Sequence, residues 1–183
     1  YSLPGGQIMK IHLALATVAA LAFGVASFAP AYAMGDGDSG TTTPKKCKKG
    51  EVVKNGKCVK ASSGVLPDED LYQQGRALAQ AGEYDWALTV LAAVRDQNDP
   101  RVLNYVGYSH RKSGRLDEAF GYYHKAIEID PNFVLAREYL GEGYVAAGRI
   151  DLAKSQLTEI ANRCGTTCEE YQELAEHIES GLN

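Results

Sequence analysis

The amino-acid sequence predicts an all-α chain: a helix-turn-helix solenoid of three repeats, closed by a C-terminal capping helix and preceded by a small disulfide-clipped β-hairpin. Three observations carry that expectation. A glycine-bearing phrase returns with a period near 34 residues, the interval of stacked helix pairs. From Asp68 onward, apolar residues recur at helical spacing. Upstream, an Asn55-Gly56 pair, the strongest short hairpin signal, lies between Cys47 and Cys58.

Taken in order, Met9 and Lys10 are followed by an apolar run from Leu13 to Phe28 and by Ala31-Tyr32-Ala33. A basic start, an apolar stretch and small residues at a cleavage site read as a secretory signal peptide, Met9–Ala33. The eight residues before Met9 have no part in such a signal. The run also approaches the roughly 20 residues of a membrane span; its alanines and the A-x-A ending favour cleavage near Ala33 and a periplasmic or secreted chain. Residues 34–46, rich in Gly, Asp and Thr, have little to bury and read as a flexible linker.

Residues 47–60 read as a basic hairpin, with Val52 and Val53 before the Asn-Gly turn and Val59 after it. A two-stranded hairpin is marginal alone in water. Four cysteines in an exported chain suggest oxidised pairs. Three pairings are open, and short loop closure favours Cys47–Cys58 and Cys164–Cys168. Lys45, Lys46, Lys48, Lys49, Lys54, Lys57 and Lys60 make the hairpin region basic, while residues 68–183 carry 11 basic and 20 acidic side chains. An acidic main body has no electrostatic footprint for nucleic acid. Residues 61–67 read as a second linker.

Three stretches then align on their glycines: LYQQGRALAQAGEYDWALTVL from Leu71, LNYVGYSHRKSGRLDEAFGYY from Leu103 and REYLGEGYVAAGRIDLAKSQL from Arg137. Gly75, Gly107 and Gly141 stand 32 and 34 residues apart, and Gly82, Gly114 and Gly148 repeat those intervals. Each copy carries a turn followed by Asp and Ala: Asp85 and Ala87, Asp117 and Ala119, Asp151 and Ala153. Residues without bulk permit close helix approach, and the aspartates fall where a helix N-terminus favours a carboxylate or a side-chain cap. Residues 68–166 divide into repeats at 68–99, 100–133 and 134–166. Residues 167–183 form a capping helix whose Tyr171, Leu174, Ala175 and Ile178 share one face, with five glutamates opposite.

On these phrases, residues 68 to about 163 resemble the tetratricopeptide repeat family. The resemblance implies a concave groove lined by the first helix of each pair, to bind a peptide or protein. The groove positions carry over to Tyr72 and Arg76, then Arg101, Asn104, Tyr105, Tyr108 and Arg111, then Glu138, Tyr139 and Glu142, with Glu69, Gln73, Ala79, Leu135 and Val145 beside them. Tyr and Arg are enriched at binding hot spots. Some members grip a terminal carboxylate at five groove positions; those hold Tyr72, Arg76, Tyr105, Leu135 and Tyr139 here, and four of the five do not suit it. Gln74 and Arg137 stand where the family has large apolar residues, and His110 replaces a tyrosine.

No Gly-rich phosphate loop, nucleophile elbow or paired-carboxylate motif occurs in the sequence. Asp36-Gly37-Asp38 lacks the downstream glutamate of a calcium loop. Cys164 and Cys168 with His177 admit a redox or copper reading, against which a structural disulfide is preferred. His110 and His124 lack companions at ligand spacing. The expectation is a non-enzymatic periplasmic adaptor or scaffold without cofactor or metal. The alternative is an envelope-associated module that docks through its lysine-rich hairpin.

Overall fold

The computed structural model describes residues 47–64 and 66–181. The signal segment, the first linker, Lys45 and Lys46 lie outside these. Strands β1 (Glu51–Lys54) and β2 (Lys57–Lys60) pair antiparallel, with Val53 opposite Cys58 and Lys54 opposite Lys57. Asn55 and Gly56 both take positive φ, 48° and 71°, as a two-residue turn of this kind requires. The Cys47–Cys58 disulfide ties the segment before β1 to β2 at the position opposite Val53.

Among the described residues, seven α-helices follow: α1 (Asp68–Gln80), α2 (Tyr84–Leu91), α3 (Pro100–Lys112), α4 (Leu116–Ile129), α5 (Val134–Ala146), α6 (Ile150–Cys164) and α7 (Glu169–Gly181). Helix α3 has the strongest local start signal. Asp99 accepts a hydrogen bond from the Arg101 N–H at 2.8 Å, and Pro100 occupies the first helical position, where a missing N–H costs nothing. The first helix of each pair ends the same way: the residue after Gly82, Gly114 or Gly148 donates its N–H five residues back, Glu83 to Leu78, Arg115 to His110 and Arg149 to Tyr144, at 2.8–3.0 Å. That closure needs a left-handed residue, and the three glycines have φ of 83°, 79° and 70°.

The aspartates after these turns do not act as caps. Glu83, Arg115 and Arg149 hold the N-cap positions without side-chain cap bonds, and Asp85, Asp117 and Asp151 lie inside the first turn. Their contribution is the favourable placement of negative charge at the positive end of the helix dipole.

Helices pair as α1 with α2, α3 with α4 and α5 with α6, and each pair stacks on the next. Ala87, Ala119 and Ala153 are fully buried at these contacts. A Cβ added at Gly75 would lie 2.6 Å from Leu91, and one at Gly107 would lie 2.8 Å from Tyr123, so a larger residue forces each helix pair apart. At Gly141 the contact is with Leu174 of α7 at 2.5 Å, because the capping helix wedges into the third pair. Leu174 and Ile178 are buried there, joining Leu140, Tyr144 and Ile160 in one apolar cluster. The Cys164–Cys168 disulfide ties the end of α6 to the start of α7.

The hairpin is seated on the first repeat rather than tethered to it. In a two-residue hairpin the Lys54–Lys57 pair turns its backbone groups inward, so those of Val53 face the free edge. Gln74 meets both: its Oε1 accepts from the Val53 N–H at 2.8 Å and its Nε2 donates to the Val53 carbonyl at 3.2 Å. Trp86 donates from Nε1 to the Glu51 carbonyl at 3.0 Å, and Lys49 pairs with Asp85 at 3.1 Å. Val52, Ala61 and Leu66 are buried in the same cluster as Leu71 and Val90. Residues 61–67, read from the sequence as a linker, include a 3-10 turn over Ala61–Ser63 and two of these core residues. Gln74, an apparent departure from the repeat pattern, is therefore the residue that covers the edge of β1.

Arg137, the other departure, is buried at its apolar position because its guanidinium finds acceptors. It donates to the Pro131 carbonyl from Nη2 at 3.0 Å and to Gln156 from Nη1 at 3.4 Å. Arg163 donates to the same carbonyl at 2.7 Å, so two arginines secure the loop between the second and third repeats. Among the described residues, no helix is long and apolar enough to cross a membrane.

Candidate functional site

The odd-numbered helices touch one another across repeats, α1 with α3, α3 with α5 and α5 with α7, more closely than the even-numbered ones do. The stack therefore curves with α1, α3, α5 and α7 on its inner side. That face carries a tyrosine ladder. Tyr72 meets Tyr105 edge-on with centroids 6.1 Å apart, Tyr105 meets Tyr108 at 5.9 Å, and Tyr108 meets Tyr139 at 5.2 Å. Arginines lie over these rings: Arg101 over Tyr72 at 4.6 Å, Arg76 over Tyr105 at 5.7 Å, and Arg111 over Tyr139 at 5.3 Å. Each places a cation against the negative face of a ring.

The structure brings the ten expected groove residues onto one face but does not leave all of them open. Arg101 is exposed, and Arg76, Tyr108 and Tyr139 are half-buried. Tyr72, Asn104, Tyr105, Arg111, Glu138 and Glu142 are buried by neighbours within the chain. These six groove positions therefore lie behind the accessible strip rather than on it. A helix face that is polar in one repeat is covered when the next repeat supplies a complementary side chain. Arg111 shows this most clearly: its Nη1 forms an ion pair with Glu142 Oε2, and its Nε donates to the Tyr123 hydroxyl at 3.3 Å. Burial opposes the Arg111 charge, yet Tyr123 and Glu142 more than offset it and hold the guanidinium above its ordinary pKa.

Burial raises the phenols of Tyr72, Tyr108 and Tyr139 above the usual tyrosine range, with neighbouring tyrosines adding to the effect. Glu138 is shifted furthest among the carboxyls. Burial, then a hydrogen bond with Glu173 and the nearby charges of Glu142, Glu173 and Glu170, push it up to about 9, so it carries its proton at neutral pH.

A cavity of about 330 Å³ opens beside this residue. Helix α1 contributes Arg76 and Gln80, α3 contributes Tyr105, and α5 contributes Leu135, Glu138 and Tyr139. The far wall is Glu169, Glu170 and Glu173 of α7. The sequence places those glutamates on the face of the capping helix opposite Tyr171, Leu174, Ala175 and Ile178. Their spacing over one turn was the available signal, but only the curvature of the stack turns them toward α1.

Both expected disulfides are formed. Among the described residues, two groups place ligand atoms close enough to share a metal ion: Cys47 with Glu51 and Cys58, and Cys164 with Cys168 and Glu170. In each, both sulfurs are committed to a disulfide and are not thiolate ligands. His110 stacks on Tyr122 with centroids 5.3 Å apart and accepts from Arg115 Nε at 2.9 Å, and His124 meets the Tyr144 hydroxyl at 3.1 Å.

The curved stack of helix pairs with a tyrosine-lined inner face defines a helical-repeat solenoid. Residues 100–133, spanning α3 and α4, match the tetratricopeptide repeat family. The helix pairs on either side of that match repeat its architecture, so the fold is a tetratricopeptide-repeat-like solenoid. Solved structures of similar fold include the Yersinia enterocolitica type III secretion chaperone SycD in complex with a peptide of the translocator YopD. It is 24% identical, with 62% of this chain and 88% of that one covered and a TM-score of 0.53. The TPR2AB domain of yeast Sti1 in its HSP90 complex is 20% identical, with coverage of 67% and 50% and a TM-score of 0.57. The first TPR of Spaghetti (RPAP3), bound to the HSP90 peptide SRMEEVD, is 15% identical, with coverage of 63% and 94% and a TM-score of 0.54. No curated protein sequence matches this chain.

Proposed function

We propose that this chain is an adaptor that binds a peptide or protein partner along the inner face formed by α1, α3 and α5, and that it works in the bacterial periplasm after export. The observation that carries this reading is the half-open aromatic strip. Tyr108 and Tyr139 pack at a tilt with centroids 5.2 Å apart while remaining partly accessible, on the face that also carries Arg76 and exposed Arg101. Rigid aromatic rings with adjacent arginines supply contact area at low entropic cost. The SycD and RPAP3 structures, each with a peptide in complex, support the reading by analogy of fold. The contacting set is narrower than the full inner face: Arg76, Arg101, Tyr108 and Tyr139 reach a partner directly, and the buried residues shape the wall behind them. The reading includes no catalytic role.

The test is a photo-crosslinking residue placed at position 108 in the exported chain, with captured species identified by mass spectrometry. A discrete partner whose capture is lost on Tyr139→Ala or Arg101→Ala is expected. Capture that is indifferent to both substitutions, or none at all, overturns the adaptor role. Fractionation of the same cells checks the compartment.

A second reading is favoured by the hairpin. With β1 turned against the array, Lys48, Lys49, Lys57 and Lys60 remain exposed. Such a surface suits an anionic membrane or wall polymer. Cosedimentation with phosphatidylglycerol vesicles, abolished by Lys48→Glu with Lys57→Glu, is the expected outcome, and equal pelleting of wild type and variant rejects it.

A further inference from the structure

We infer that the cavity between α1 and α7 is a pocket for one arginine or lysine side chain of the partner peptide, an inference that rests on the inner face binding a peptide. Two buried polar atoms lack partners on its walls. Glu138 is 1% exposed, and its Oε1 has no hydrogen-bond partner. Arg76 Nε is likewise buried and unpaired. A buried polar group left unsatisfied is costly, and native folds pair nearly all of them. The two atoms name their complements: a carboxyl oxygen takes an N–H donor, and a guanidinium N–H takes a carbonyl. A basic side chain entering beside its own peptide carbonyl supplies both.

Charge and shape agree with that occupant. The cavity collects Glu138, Glu169, Glu170 and Glu173 against the single guanidinium of Arg76, which already lies over Tyr105. Tyr139 and Leu135 offer apolar wall for an aliphatic stem, the arrangement in which long basic side chains bury their methylenes and keep the head at polar groups. About 330 Å³ is at the small end of ligand pockets, the scale of a side chain rather than a whole cofactor. Among the described residues, no three of these carboxylates bring their oxygens within 4.8 Å of one another, the closeness a single metal ion demands. An extended organic cation suits the wider spacing.

The proton on Glu138 is linked to occupancy. Burial and Glu173 keep it protonated, with Arg76, Tyr105, Tyr139, Glu142, Glu169 and Glu170 as the other titratable groups around it. A cation against Oε1 favours the ionised form, so binding releases a proton and tightens as pH rises toward 9.

The experiment is selection of a random heptapeptide phage library on the full chain, followed by anisotropy of a fluorescein-labelled selected peptide. A shared Arg or Lys at one position is expected. Exchanging it for citrulline or norleucine weakens binding about tenfold or more, the scale of a hydrogen bond to a charged group. Glu173→Gln, an exposed change that leaves helicity intact by circular dichroism, gives a loss that is not additive with removal of the peptide cation, as does Glu138→Gln. Selected peptides that depend on Tyr108 but share no basic position overturn the pocket and leave the adaptor role standing. Failure to select any peptide, or selected peptides indifferent to Tyr108→Ala, overturns both.

Discussion

At the scale of single residues, the inner face combines a structural ion pair with a poised carboxyl. Arg111 and Glu142 are nearly sequestered from water, with side-chain exposures of 6% and 10%. Removing one partner strands a buried charge. Arg111→Met is therefore expected to cost about 3–5 kcal/mol, while the double change Arg111→Met with Glu142→Leu recovers most of that loss, as measured by urea denaturation. A single change costing no more than the double one contradicts the assignment. Glu138 makes a different prediction. Its folded-state pKa lies near 9, above the ordinary carboxylate value, so the folded state binds the extra proton and the unfolded state does not. That contribution is fully present below the unfolded pKa and is lost as pH rises through the folded one, so stability falls between about pH 5 and 9. In Glu138→Gln the midpoint of thermal unfolding should vary less over this window, and an unchanged pH slope excludes Glu138 as its source. The sequence placed Arg111 and Glu138 on inner helices. It did not show that they are covered, because Glu142 and Glu173 lie tens of residues further along the chain.

Among the elements, the hairpin is the one whose role changed most between sequence and structure. Its strands, turn and cysteine clip follow from local chemistry, the Asn-Gly turn and the short loop between Cys47 and Cys58. What holds it against the array is tertiary: the Gln74 amide on both backbone groups of Val53 and the Trp86 indole on the Glu51 carbonyl. Trp86 is the only tryptophan in the chain, so its emission reports this contact. Cys47→Ser with Cys58→Ser is expected to cost about 2–3 kcal/mol. It should also red-shift the fluorescence in urea below the concentration at which helical circular dichroism is lost. Coincident transitions by the two probes reject a separately detaching hairpin. The Lys49–Asp85 pair adds little, since both side chains are more than half exposed.

For the whole molecule, stability runs along the stack. Each helix pair contacts its neighbours in sequence, and α7 closes the last of them. Such arrays gain stability from interfaces between adjacent units, so an end without its cap leaves apolar surface in water. Leu174→Ala, which empties a fully buried position against Gly141, is expected to destabilise by about 2–5 kcal/mol in urea. A loss under 1 kcal/mol would show that α7 is not a structural cap. The curvature of the same stack turns the glutamates of α7 toward Arg76 of α1, so cap and pocket share one helix.

Local regularities alone determined the repeat architecture. Glycines at matched positions set the turns, small residues marked the helix contacts, and apolar spacing marked the buried faces, because each of these requirements is met within one or two helical turns of chain. The cysteine pairing was equally legible, since both bridges close short loops. Tertiary structure alone decided which inner-face residues stay open, that Gln74 and Arg137 serve packing contacts rather than break a pattern, and that a carboxyl without a hydrogen-bond partner on one oxygen lies beside a cavity. Those outcomes depend on side chains brought together by curvature across repeats, and the summed small rotations between helix pairs are written in no single stretch of sequence.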